Sequence, residues 1–113
     1  LGVVIMAMTS LFAQYEPKFE KKGDRVMATY YTDNGSVQQY GTFKGEEQDG
    51  QWVMLDDQGN IMVSAFYQNG KKEGKWFIYA DDGKTLYEVV YENDLLIDSS
   101  KWTIEERNLL ADK

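Results

Sequence analysis

The 113-residue chain contains no cysteine and no histidine. Without cysteine there is no disulfide, no thiolate metal site, no cysteine nucleophile and no lipid attachment through a lipobox cysteine. Without histidine the commonest general base, the Ser-His-Asp arrangement and most zinc sites are excluded. Catalysis would have to rest on Asp/Glu pairs, Lys or Tyr. Positive charge is scarce: 12 Lys and Arg stand against 19 Asp and Glu, giving a net charge of −7. Phosphate backbones are bound by basic surfaces, so no nucleic acid is expected as a partner. No cofactor is expected either. Proline occurs once, at Pro17. What the chain has in quantity is glycine (ten residues) and aromatics (14%), the composition of many turns between strands. The length suits one domain with a thin core.

The stretch "LGVVIMAMTSLFA", Leu1 to Ala13, is uncharged and almost wholly apolar, and "QYEPKFEKKGD" changes character at once. Thirteen residues fall short of the roughly 20 a membrane span needs. They fit the apolar part of a secretory signal peptide, with cleavage between Ala13 and Gln14. "LFAQ" resembles signal-peptidase sites of exported Bacteroidota proteins. Leu11 is large for its place, and no basic n-region is present, so a few residues are expected upstream of Leu1. A buried first strand is the alternative. Export would place the mature protein, with no lipid anchor, in the periplasm or outside the cell.

A 24-residue repeat follows. "GKWFIYADDGKTLYEVVYEND" from Gly74 lies over "GQWVMLDDQGNIMVSAFYQNG" from Gly50, with six identical pairs: Gly50/Gly74, Trp52/Trp76, Asp57/Asp81, Gly59/Gly83, Tyr67/Tyr91 and Asn69/Asn93. A more degenerate copy starts at Val26, keeping Asp33 and Gly35 and placing Phe43 at the aromatic position. One step further back lands on Phe19, so Phe19, Phe43, Tyr67 and Tyr91 predict an aromatic ladder. The chain divides into the leader 1–13, a half repeat over 14–25, three hairpin repeats over 26–98 and a tail over 99–113.

Each unit predicts a β-hairpin. "WVML" and "WFIY" are first strands, "DDQGN" and "DDGK" turns, "IMVSAFY" and "TLYEVVY" return strands. The glycine of each Asp-x-Gly needs a positive φ, and Asp33, Asp57 and Asp81 are expected to bond the local backbone. On the third return strand Tyr87, Val89 and Tyr91 share a face, which is expected to be the inner one, against Leu86, Glu88 and Val90. The fold class expected is all-β: an elongated antiparallel meander of hairpin repeats with a short C-terminal helix. One hairpin cannot bury its face alone, so repeats stabilise one another.

The pattern G-x-W-x-x-(L/Y)-x-D-x-G, then an aromatic, then x-N-G, resembles the MORN-repeat variant family of bacteria. It is carried by Gly50, Trp52, Leu55, Gly59, Tyr67, Asn69, Gly70, Gly74, Trp76, Tyr79, Gly83, Tyr91 and Asn93, across about residues 26–97. The first repeat departs from it, with Ala28 for Trp and Gly45-Glu46 for Asn-Gly. The resemblance implies elongated antiparallel sheets of successive hairpins. Many members are labelled antitoxin-like, and MORN repeats elsewhere are tied to scaffolding and membrane association.

Four chemistries compete with a purely structural role. The acidic turns near Asp56 and Asp81 lack the EF-hand ligand spacing, so turn chemistry is preferred to calcium. Carboxylate pairs such as Asp57, Asp81 and Glu88 could serve glycoside hydrolysis, but such pairs need a cleft that a short repeat sheet does not suggest. Tyr30, Trp52 and Trp76, at or next to equivalent first-strand positions, would form a binding row for sugar or protein if they face outward, and core if inward; spacing leaves both open, with core preferred. "NGKKEGK" gathers Lys71, Lys72 and Lys75, better read as a solvated edge than as a phospholipid site, so membrane binding is not expected.

In the tail, Thr103 and Glu106 form a capping box ahead of a helix over about 104–111. Trp102, Ile104, Leu109 and Leu110 are expected to dock on the last hairpin; a partner-binding helix is the alternative. The reading expected is a non-enzymatic exported repeat protein that binds another macromolecule, a protein first and a polysaccharide second. A cytosolic antitoxin-like inhibitor is the rival. Gly35, Phe43, Gly50, Trp52, Asp57, Gly59, Tyr67, Gly70, Gly74, Trp76, Asp81, Gly83 and Tyr91 are its structural positions.

Overall fold

The structure is a computed structural model and describes residues 15–111. The expected signal peptide and its cleavage point therefore lie outside the described residues. Alternating aromatic and β-branched runs, broken by glycine turns, form nine strands: β1 (Lys18–Lys22), β2 (Arg25–Tyr31), β3 (Val37–Lys44), β4 (Glu47–Leu55), β5 (Ile61–Gln68), β6 (Lys71–Lys72), β7 (Gly74–Tyr79), β8 (Thr85–Glu92) and β9 (Leu95–Thr103). One helix, α1 (Ile104–Ala111), follows. The strands make one antiparallel sheet in chain order, with β6 pairing β5 as a short forerunner of β7. This is the all-β meander the repeat predicts. Its extents of 57 × 30 × 24 Å make it elongated.

The 24-residue period is a period of backbone conformation. At one margin, turns open at Thr32, Asp56 and Ala80, and Gly35, Gly59 and Gly83 take φ of 89°, 84° and 70°. At the other, tight turns place Gly45, Asn69 and Asn93 at φ of 63°, 52° and 54°. Gly50 and Gly74 sit at bulges, with φ of 102° and 71°. There the pairing slips between Phe43↔Gln48 and Gly41↔Trp52, and equivalently between Tyr67↔Lys72 and Val63↔Ile78. Each bulge turns the following tryptophan onto the core face.

That face carries Ala28, Trp52, Ala65 and Trp76 as one buried cluster, with Tyr30, Phe43, Val63, Tyr67, Val89 and Tyr91 packed on it. Trp76 lies between Tyr67 and Tyr91, each ring 5.2 Å away and tilted edge-on. The rungs of the ladder are thus joined through tryptophan rather than stacked directly. Phe19 does not belong to the cluster: it is an exposed residue on the outermost strand, touching only the edge of Tyr30 at 6.3 Å. No strand outside β1 exists to cover it among the described residues.

The opposite face is not simply an outer face. Leu86 and Val53, both on it, are 3% exposed, while Tyr87 on the expected inner face is exposed. Helix α1 packs over part of this second face and shields Leu86. β9 runs to Thr103, so the tail begins as strand, and the helix covers 104–111 as the sequence predicts. The capping box forms: Glu106 N–H donates to Thr103 Oγ1 at 3.0 Å, and Thr103 N–H to Glu106 Oε2 at 3.2 Å. The docking residues differ from expectation. Arg107 reaches Glu88 at 3.4 Å and lies over Phe77, beside Ile104, while Leu109 and Leu110 point to solvent.

Candidate binding surface

The two repeat tryptophans are interior groups. Trp52 is 4% and Trp76 9% exposed. Their indole N–H groups donate to the carbonyls of Thr42 (2.9 Å) and Phe66 (3.0 Å), in each case ten residues back. A satisfied N–H is what permits a tryptophan to be buried. Each indole lies toward a small residue of the preceding strand, Gly41 for Trp52 and Ala65 for Trp76. Tyr30, Trp52 and Trp76 therefore do not form an outward row; Tyr30 is half-buried beside Trp52 at 6.4 Å.

The acidic turn residues are held by their own backbone. Asp56 accepts from the N–H groups of Gln58 and Asn60 at 2.9 and 2.8 Å. Asp82 accepts from the Lys84 and Thr85 N–H groups and the Thr85 hydroxyl, between 2.7 and 2.8 Å. These are the positions next to Asp57 and Asp81, and in the first repeat Asn34, next to Asp33, accepts from Ser36 N–H. The bonding residue thus lies one before the expected Asp57 but one after the expected Asp33 and Asp81, so the three turns do not share one register for it. The Thr85 hydroxyl and the two N–H groups lower the Asp82 pKa to about 2, and the Asn60 and other turn donors lower that of Asp56.

A second set of contacts, not visible in the motif, ties the repeats at the tight-turn margin. Asn69 N–H donates to Asp49 Oδ2 at 2.9 Å, and Asn93 N–H to Glu73 Oε2 at 2.7 Å. Beside them Gly70 N–H reaches Gln48 O at 2.8 Å and Asp94 N–H reaches Lys72 O at 3.0 Å. Arg25 occupies the corresponding place in the first repeat and pairs with Asp49 at 2.5 Å. The Asn69 N–H first, and Arg25 second, hold the Asp49 carboxyl below its usual value. The only sequence signal for this staircase is an acid before the bulge glycine, Asp49-Gly50 and Glu73-Gly74.

Some apolar side chains remain open to solvent. On β5, Met62 and Phe66 project from the second face and are exposed. Met62, Ile61, Tyr79 and Ile104 line a groove of about 490 Å³ between the β4–β5 and β7–β8 turns. Asp56 and Asp81 stand on its rim. Of the carboxylates Asp57, Asp81 and Glu88, Asp81 alone lines this groove, and Glu88 is instead tied to Arg107. A groove lined by these apolar side chains, with the Asp56 and Asp81 carboxylates beside them, can hold an extended segment bearing apolar and basic side chains. Among the described residues, no helix is long and apolar enough to cross a membrane. Comparison with family models, with characterised proteins and with solved structures gives no match.

Proposed function

We propose that this chain is a non-enzymatic hairpin-repeat module that binds another protein through the groove at the β4–β5 and β7–β8 turns. The observation that carries the reading is the distribution of apolar surface. The repeat tryptophans Trp52 and Trp76, which a sugar-binding shelf would need exposed, are buried, while Ile61, Met62 and Phe66 are left in solvent. Contiguous exposed apolar surface with a polar rim marks a binding site. The aspartates at the rim favour a basic partner segment over an acidic one.

The repeat pattern supports kinship with the MORN-repeat variants, and the apolar Leu1–Ala13 stretch supports export with a mature start at Gln14. N-terminal sequencing of the protein recovered from cells that make it separates this reading from the cytosolic antitoxin-like one.

The groove is tested by affinity capture with the tagged full chain from its native cells. A partner held by the unaltered chain and by Lys75→Ala, but lost with Met62→Asp, supports the reading. A partner held equally by all three places binding elsewhere.

A further inference from the structure

The sheet begins and ends out of step with its own repeat. Three strand pairs, β2–β3, β4–β5 and β7–β8, each place a first strand beside its return strand. Among the described residues, β1 is a return strand with no first strand beside it, and β9 a first strand with no return strand beside it. Among the described residues β1 pairs only with β2 and β9 only with β8. The open edge of β9 carries Leu95, Leu96 and Ile97, the first of them 70% exposed, and the β1 edge carries exposed Phe19. Edge strands are ordinarily blunted by charge or proline; the first three residues of β9 have neither. Just ahead of β1, the Tyr15 ring lies against Gly35 at the β2–β3 turn.

The two ends are also opposite in charge. From residue 16 to residue 25, Lys18, Lys21, Lys22 and Arg25 stand against Glu16, Glu20 and Asp24. From residue 92 to residue 107, Glu92, Asp94, Asp98, Glu105 and Glu106 stand against Lys101 and Arg107. Two β9 edges brought together would set acid against acid, whereas β9 against β1 sets acid against base.

The repeat specifies how such edges would meet. Ala28, Trp52 and Trp76 pair with Gly41, Ala65 and Val89, thirteen residues on in each case. The β8–β9 bulge is one residue shorter than the earlier ones, so Ser99 faces Val89 where the period would put Ser100. Ser99 thus takes the tryptophan place in β9, and the place of Gly41, Ala65 and Val89 falls in the first half repeat on Pro17. Continuing that ladder sets Asp98 of one copy across from Lys18 of the next, and Ile97 beside Phe19.

We propose that the chain associates head to tail with a second copy of itself, the β9 edge of one adding to the β1 edge of the next and completing the missing repeat. Such head-to-tail contacts build rings or open chains according to the rotation between successive copies. The surface is distinct from the groove, and failure here leaves the groove reading untouched.

Because the protein has no cysteine, a single introduced pair reports the contact cleanly. Full chains carrying Phe19→Cys and Ile97→Cys are mixed and oxidised. The proposal expects the mixed disulfide dimer to exceed each symmetric one by far more than the twofold that random pairing gives, and Asp98→Lys on the Ile97→Cys chain to lower its yield about tenfold. Lys18→Glu on the partner should restore it, which a misfolded variant would not allow. A predominant Ile97→Cys symmetric dimer, or a chain that stays monomeric in sedimentation with no mixed disulfide, overturns the proposal.

Discussion

The Trp52 indole occupies the space in which a side chain at Gly41 would stand: a Cβ there would overlap ring atoms Cδ2, Cε2 and Cγ. The sheet is a single layer along much of its length, so its core is made by laying a large ring over a small residue on the neighbouring strand. Gly41→Ala should destabilise by about 1–3 kcal/mol through overpacking. Trp52→Ala should cost about 3–5 kcal/mol. In a double-mutant cycle by denaturant unfolding, Gly41→Ala should cost little once Trp52 is already Ala, because the clash is gone.

Gly59 tests a different cause. Nothing lies within 4 Å of a Cβ built there, and its φ is 84°. Gly59→Ala should cost about 1 kcal/mol from backbone conformation alone, and Trp52→Ala should leave that cost unchanged.

The turn carboxylates separate by position. Asp82→Ala should lower the melting temperature, and Asp81→Ala should leave it nearly unchanged. Asp82 has its folded pKa depressed to about 2. Its contribution is complete above the unfolded value near 4 and is lost as pH falls from about 4 to about 2. The difference in melting temperature between Asp82→Ala and the unaltered chain should therefore be present at pH 6 and vanish near pH 2.

The staircase at the tight turns should be visible in amide exchange. Asp49→Ala removes the acceptor of Asn69 N–H and the partner of Arg25. The Asn69 amide should then exchange faster, with a lower melting temperature. Asn69→Gly, which suits the φ of 52°, should be tolerated.

Much of the fold is legible because the period repeats two kinds of positive-φ turn and one bulky aromatic marker. Gly35, Gly59 and Gly83 at positive φ mark one margin, Asn69 and Asn93 the other, and Trp52 and Trp76 the start of each unit. The direction of the tryptophans was not legible from spacing. It depends on Gly41 and Ala65 being small on the adjacent strand and on a carbonyl in reach of each indole N–H. The Asp56 and Asp82 roles were missed because adjacent aspartates in "DD" look alike in sequence, and only the turn geometry selects between them. Leu109 and Leu110 were placed against the sheet because they are the apolar pair of the helix, yet Arg107 takes that side through Glu88 and Phe77. The groove could not be read at all. Its walls, Met62 and Tyr79 with Ile104, come together only through pairing of β5 with β7 and the turn into α1.

The central claim is that the groove, and not the tryptophan face, meets another protein. A photo-crosslinking residue at Met62, compared with one at Val89 on the tryptophan face, tests it in cells that make the protein. The account predicts a discrete protein adduct from position 62 and none from position 89. An adduct from position 89 with none from position 62 would contradict it.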